Sequence, residues 1–126
     1  MDQLHWQRPV LWLLAFGFAG FGVAYAVRPT DMAALTGILL PDTGSIIDYA
    51  ATCGGSQVGL AMFLALCASR EQWVRLGLVA GGLVLAGIGG VRLAGIVLAG
   101  GDVLPMLYFG LAIELPAAIL VLLAAR

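Results

Sequence analysis

The sequence contains no lysine and a single histidine, and its only charged side chains are six arginines and seven acidic residues among 126. Without lysine, the chain has no side-chain amine for Schiff-base or lysine-based acid–base chemistry. His5 alone cannot build a histidine-rich metal site within one chain. A net charge of −1 and the absence of any basic run also argue against nucleic-acid binding.

Only two cysteines are present, Cys53 and Cys67, fourteen positions apart in one apolar stretch. At about 1.5 Å per helical residue they lie about 20 Å apart, which is beyond the reach of a disulfide bond. We expect both to be unpaired packing residues. A redox function would need Cys53 to react without a resolving cysteine nearby. Because the sequence also lacks a histidine-bearing triad, a phosphate loop and a metal cluster, we favour a non-enzymatic protein with no cofactor.

What the sequence has in abundance is hydrophobic residues, which make up 62% of the chain and give a mean hydropathy of +1.05. Soluble domains contain about 45–50% apolar residues, so the lipid bilayer is the expected surrounding. Four apolar stretches are each near the ~20 residues that cross a bilayer as a helix. They are residues 9–27, 46–68, 73–99 and 103–125. The alternating pattern of a transmembrane barrel is absent. We therefore predict one all-α domain over residues 1–126, a membrane four-helix bundle.

The connections predict where these helices begin and end. Residues 29–45 contain turn formers around an apolar cluster, so we expect a short interfacial helix, capped by Thr30, lying back on the bundle. Ser45 and Asp48 have the spacing of a capping box at the start of the second span. Gly100 and Gly101 would end the third helix, and Asp102 would cap the fourth. Tyr25 is expected in an aromatic belt at the headgroups.

The arginines predict the orientation of the chain. Four of them fall on one side of the predicted spans and one on the other: Arg8, Arg70, Arg75 and Arg126 against Arg28. By the positive-inside rule, the four-arginine side and both termini are cytoplasmic. Residues 24–26 have the pattern of a signal-peptidase site, but the apolar run before them is longer than a signal-peptide core, so we expect an uncleaved first helix.

Two charges lie inside apolar spans: Arg92 in the third and Glu114 in the fourth. Each costs about 2.5–3.5 kcal/mol at a helix centre, so a partner is expected, and both lie ~11–17 Å below the outer surface. We predict that they pair, with Gly110 one turn away allowing close approach. They either fix helix register or, with Gln57 and Tyr108, form a polar ligand-binding pocket in the outer half.

Small residues recur at the spacing of close-packed membrane helices. Gly55 and Gly59 form one GxxxG pair in the second span, and Gly77 and Gly81 form another in the third. Such pairs let helix backbones approach each other, within one chain or between chains. We interpret all four as helix-packing residues.

The order of these features resembles a bacterial family of small four-helix membrane proteins of unknown function, loosely similar to DoxX-like proteins. The resemblance rests on residues 48–59 with the Gly54-Gly55 pair and Gln57, and on residues 90–92, 100–102 and 114–115. Such proteins often carry an arginine and a tyrosine before the double glycine, where this chain has Ala50 and Cys53. The resemblance implies the fold and a place in the bacterial inner membrane.

Two functions follow as hypotheses. The first is a non-enzymatic membrane protein that acts as an accessory or packing subunit of a membrane complex, or as a homo-oligomer, through its glycine faces. The alternative is a binder or carrier of a small amphipathic molecule, a lipid or a quinone, held near Arg92 and Glu114 beneath the interfacial helix. The expected partners are the lipid bilayer and either another membrane protein or a second copy of the chain.

Overall fold

The computed structural model describes residues 4–126, and within that range the chain is helical, with no β-strand. Its helices are α1 (Leu4–Val27), α2 (Pro29–Leu35), α3 (Thr43–Tyr49), α4 (Ser56–Ser69), α5 (Val74–Leu98) and α6 (Pro105–Ala124). They provide four stretches long and apolar enough to cross a membrane. The predicted all-α membrane bundle with a short helix between its first two spans is thus confirmed. The predicted domain begins at Met1, so its first three residues lie outside the described range.

The second span is composite. It runs without a break from Thr43 to Ser69, and its middle is a six-residue π-helical segment, Ala50–Gly55, between α3 and α4. A π segment inserts an extra residue into the helical repeat, and such insertions are frequent at functional sites. Side chains on either side of this segment therefore do not follow one 3.6-residue pattern.

The second span begins three residues earlier than predicted, and its cap differs. Asp42 occupies the N-cap position and Ser45 the third helical position. The Ser45 N–H donates to the Asp42 carboxylate at 2.8 Å, and the Asp42 N–H donates to the Ser45 hydroxyl at 3.2 Å. The predicted Ser45–Asp48 capping box is therefore wrong, because Ser45 is the inner member of the box and Asp48 lies further along α3.

Three other predicted boundaries also need correction. Helix α2 begins at Pro29 with Arg28 at its N-cap, so Thr30 lies inside the helix and does not cap it. Helix α6 begins at Pro105, and proline suits the first helical position. No side chain caps this helix, and Asp102 lies outside it. Pro9 lies inside α1 and does not begin it.

The glycine turn after α5 and the burial of one residue of α2 agree better with the prediction. Gly100 and Gly101 have φ angles of 70° and 82°, which glycine adopts without strain, and they follow the end of α5 as predicted. In the connection after α1, Ala33 of α2 is buried as expected of a helix lying against the bundle. Leu39, however, is 88% exposed, so the apolar cluster there is only partly covered.

The helices pack as two pairs. Helix α1 lies along α4 and the π segment, and α5 lies along α6. Helix α5 also contacts α1 and α4, which joins the pairs, whereas α6 has little contact with α1. The largest fully buried side chains are Leu11, Leu64, Cys67, Val74 and Leu78.

Polar contacts join the helix ends on one side of the bundle. The buried Gln7 amide donates to the Ala124 carbonyl at 2.5 Å, and Arg8 Nε donates to the Ala68 carbonyl at 3.1 Å. The start of α1 therefore meets the ends of α4 and α6. We call this side, which carries Arg8, Arg70, Arg75 and Arg126, the arginine-rich end, and the other side the opposite end.

The closest backbone approach lies between α1 and the second span. A Cβ added to Gly54 would lie 2.8 Å from the Ala26 nitrogen, and one added to Gly22 would lie 2.8 Å from the Val58 nitrogen. Atoms do not approach each other so closely, and backbone cannot move aside as a flexible side chain can. Only glycine therefore permits this crossing.

The four predicted packing glycines divide into two groups. A Cβ on Gly77 would lie 2.7 Å from Cys67 Cβ, and one on Gly81 would lie closer still to Leu14, so both stand at helix contacts. A Cβ on Gly55 or Gly59 would meet nothing within 4 Å in the described part of the chain. Packing by that second pair stays a prediction, and it would need a second molecule.

Candidate functional site

The candidate site is centred on the two intramembrane charges, which the structure brings together across α5 and α6. Arg92 Nε donates to Glu114 Oε2 at 2.8 Å, and Arg92 Nη2 donates to Glu114 Oε1 at 2.9 Å. Two parallel hydrogen bonds between a guanidinium and a carboxylate form the strongest common ion-pair geometry. The predicted pairing is therefore present, and the pair carries no net charge.

Local sequence explains how α6 makes room for the arginine. A Cβ built on Gly110 would lie 3.4 Å from Arg92 Cζ and Nε, so the guanidinium lies over the bare backbone of this glycine. Gly110 precedes Glu114 by about one helical turn, which places both on the same face of α6. A large side chain at position 110 would displace the guanidinium.

An open groove of about 650 Å³ adjoins the pair. Its lining residues are Gly87, Ile88, Val91, Arg92, Gly95, Ile96, Val103 and Leu107. Arg92 is the only charged or polar side chain among them. The groove is open at the surface of α5, where Val91 is 75% exposed, so in a bilayer it faces the lipid. No residue of α2 lines it, and the interfacial helix therefore does not cover it as predicted.

The other two predicted pocket residues lie elsewhere. Gln57 stands at the crossing of α1 and α4, where its Cβ would be 3.1 Å from a Cβ added to Gly22. The Tyr108 hydroxyl donates to the Gly101 carbonyl at 2.7 Å and so closes the turn before α6. Neither residue lines the groove. The structure thus joins Arg92 and Glu114 only, and ligand binding by any of the four stays a prediction.

Tyr25 of α1 and Tyr49 of the second span form a contact that the sequence did not indicate. The rings of Tyr25 and Tyr49 meet edge to face, with centroids 5.7 Å apart. Tyr25 is therefore in contact with the second span and is not simply part of an aromatic belt.

The groups in this region can bind, position and hydrogen-bond a molecule. Within residues 4–126, no group of three or more histidine, cysteine or acidic side chains is arranged to hold a metal ion. Arg92 donates hydrogen bonds and cannot act as a proton acceptor in proteins. Glu114 has both carboxylate oxygens engaged by Arg92.

A protein-family profile matches nearly the whole chain. The profile of a domain of unknown function, DUF4345, matches residues 6–125. The chain belongs to the DUF4345 family. No curated protein and no solved structure matches it.

The family match covers the entire candidate site of this DUF4345 protein, including Arg92 in α5 and Glu114 in α6. It agrees with the expected membership of a family of unknown function.

Proposed function

We propose that this chain is a non-enzymatic integral membrane protein that binds or carries a small amphipathic molecule, a lipid or a quinone, in the groove beside Arg92. The observation that supports this most directly is a charged donor group at the wall of an otherwise apolar, lipid-facing groove. A ligand with one polar head and an apolar body complements such a site. Intramembrane ionisable residues are functional-site candidates for this reason.

The free hydrogen-bond donors of Arg92 support the same proposal. A guanidinium has five N–H donors, and Glu114 accepts from Nε and Nη2 only. Among the described residues, no fully enclosed side-chain nitrogen or oxygen lacks a partner. Nη1, which donates to no described residue, is therefore not fully enclosed, and the groove is lined by this side chain. Hydrocarbon cannot satisfy these donors, whereas a ligand oxygen can.

Filling the groove tests the proposal while leaving both members of the ion pair unchanged. Gly95 lines the groove and has nothing within 4 Å of an added Cβ, so Gly95→Leu occupies the groove without clashing with the bundle. Gly90→Leu is the matched control, because Gly90 on α5 is equally open but does not line the groove. Native mass spectrometry from mild detergent should show a bound amphipathic molecule on the wild type and Gly90→Leu, and its loss from Gly95→Leu. Equal occupancy of all three would refute the proposal.

A second candidate function is self-association, or service as a packing subunit of a membrane complex, through the second span. The supporting observation is that Gly55 and Gly59 stand on a face with nothing within 4 Å of an added Cβ. Thr52 and Ser56 are exposed beside them. Pairs of small residues four apart are a common interface between membrane helices.

Oligomeric state in lipid nanodiscs tests the second candidate. Gly59→Ile should convert an oligomer to a monomer, because a bulky side chain keeps the partner helix away. Gly20→Ile on α1, also open in the structure, is the control. A wild-type protein that is monomeric at all concentrations, with no co-purifying partner, would contradict this candidate.

We further propose the bacterial inner membrane as the location, with both termini in the cytoplasm, and a distant likeness to DoxX-like proteins. The gathering of Arg8, Arg70, Arg75 and Arg126 at one end supports this orientation through the positive-inside rule. Reporter fusions after Arg126 check it. A fluorescent protein that folds only in the cytoplasm should be bright there, and a periplasmic phosphatase should be inactive.

A further inference from the structure

We infer that the groove beside Arg92 selects an uncharged headgroup, one that accepts hydrogen bonds through a carbonyl oxygen, over an anionic headgroup. This inference rests on the proposed function, since it names the class of molecule that the same groove would bind. Two sources share the required chemistry: the ring carbonyls of a quinone and the ester carbonyls of a neutral glyceride. Both carry the apolar tail that the remainder of the groove would accommodate.

The first reason to expect an uncharged headgroup is the net charge of the site. Arg92 and Glu114 neutralise each other through two hydrogen bonds of 2.8 and 2.9 Å. No other charged side chain lines the groove. An anionic ligand would therefore leave one uncompensated negative charge in a low-dielectric surrounding, where isolated charge is heavily penalised. A neutral acceptor receives a charge-assisted hydrogen bond from the guanidinium and adds no charge.

The second reason is the depth of Arg92 in the bilayer. Arg92 lies six residues before the end of α5 at Leu98, which places it about 9 Å below that helix end. Lipid phosphates lie in the headgroup layers outside the ~30 Å hydrocarbon core. A phosphate would have to leave its layer to reach the guanidinium. A carbonyl oxygen on an apolar body reaches this depth without taking a charge with it.

The third reason is the set of donors that Glu114 leaves accessible. Glu114 occupies one edge of the guanidinium, the edge formed by Nε and Nη2. Three N–H donors remain, two on Nη1 and one on Nη2, and Nη1 lies close to the bare backbone of Gly110. A carbonyl oxygen can accept from one of them without disturbing Glu114. The paired Nε and Nη2 donors that a carboxylate or phosphate binds best in bidentate fashion are already taken by Glu114.

A ligand series on the wild-type protein tests the inference. Binding would be measured by native mass spectrometry and thermal shift in zwitterionic nanodiscs, with decyl-ubiquinone, dioctanoylglycerol and dioctanoylphosphatidylglycerol as probes. The quinone or the glyceride should bind at least about tenfold more tightly than the phosphatidylglycerol. The stronger of the first two identifies the source of the carbonyl. Tighter binding of the anionic lipid would overturn the inference.

Changing the charge of the site gives a second, independent measurement. Glu114→Gln keeps the size of the side chain but leaves Arg92 as a net positive charge, so the order should reverse and phosphatidylglycerol should become the preferred probe. An unchanged order in a folded variant would also overturn the inference. Should the variant fail to fold, the wild-type series decides alone.

Gly95→Leu separates this inference from the proposed function. If Gly95→Leu abolishes binding and the wild type prefers the anionic lipid, the groove binds a ligand but the headgroup class is wrong. If none of the three probes binds the wild type, or if Gly95→Leu binds them equally well, the proposed function itself fails.

Discussion

Breaking the Arg92–Glu114 pair should destabilise the bundle far more than breaking an ion pair at its surface. The Arg92 and Glu114 side chains are 25% and 17% exposed, and in a bilayer that exposed fraction faces hydrocarbon and not water. Removing one partner of a buried pair typically costs about 3–5 kcal/mol, and a lone charge in a membrane helix about 2.5–3.5 kcal/mol. We therefore expect Glu114→Gln to lower the free energy of unfolding by about 3 kcal/mol.

A double-mutant cycle isolates the interaction itself. The variants are Glu114→Gln, Arg92→Gln and the double variant, each unfolded reversibly in mixed micelles. The double variant should be more stable than Glu114→Gln, because two neutral amides leave no uncompensated charge. The coupling free energy should be at least about 1.5 kcal/mol, well above that of a typical interhelical hydrogen bond in a membrane.

The chain contains a natural control for this cycle. Arg28 and Asp31 approach to 3.8 Å, but their side chains are 76% and 70% exposed at the opposite end. Exposed pairs contribute about 0–1 kcal/mol, so the same cycle on this pair should give little coupling. Equal coupling for the two pairs, or coupling near zero for Arg92 and Glu114, would refute the view that the intramembrane pair stabilises the bundle.

Three further outcomes are expected. Gly54→Ala should lower stability by about 1–3 kcal/mol through overpacking at the α1 crossing, whereas Gly55→Ala, next to it on an open face, should be neutral or stabilising in the same unfolding assay. Hydrogen bonds with Ser45, chiefly the one from its backbone N–H to the carboxylate, hold the pKa of Asp42 below its ordinary value. The stability they add is therefore present above that ordinary value and lost as pH falls through the folded pKa; the chemical shift of the Ser45 amide should follow this titration, and Asp42→Asn should abolish it. Gln7→Leu should cost about 1–3 kcal/mol, because the buried carbonyl that accepts from Gln7 is left unsatisfied; an unchanged unfolding midpoint would show that the contact is dispensable.

The sequence was sufficient for the fold class and for the ion pair because both depend on quantities that a sequence states directly. Apolar runs longer than a bilayer is thick can be satisfied only by spanning helices. Two charges at similar depths in consecutive helices joined by a short turn have few other partners. The pairing of Arg92 with Glu114 therefore follows from energetic cost and chain connectivity, without knowledge of how each helix is rotated.

The sequence could not predict how each helix is rotated about its own axis. The π segment, Ala50–Gly55, adds a residue to the helical repeat, so faces assigned with a constant 3.6-residue period on one side of it do not continue on the other. This is why Gly54, and not Gly55, packs against α1. It also helps explain why Gln57 lies at the α1 crossing and not at the groove.

Tyr25 was missed for a related reason. A tyrosine near the end of an apolar span is typical of the membrane interface, and nothing in the sequence indicates that it turns inward. Its neighbour Tyr49 comes from another helix, so their contact depends on how α1 and α3 are arranged. Two tyrosines near the same predicted end of consecutive spans were the only available signal.

The ion pair joins two consecutive helices, and this has a consequence for how the protein enters its membrane. The ribosome synthesises α5 first, and on its own that helix would carry an unpaired guanidinium into the hydrocarbon core. If α5 is held at the translocon until α6 emerges, the two helices can cross together as a hairpin in which the two charges neutralise each other. Stable insertion of α5 should thus require α6, and a chain truncated before α6 should remain exposed to quality-control proteases.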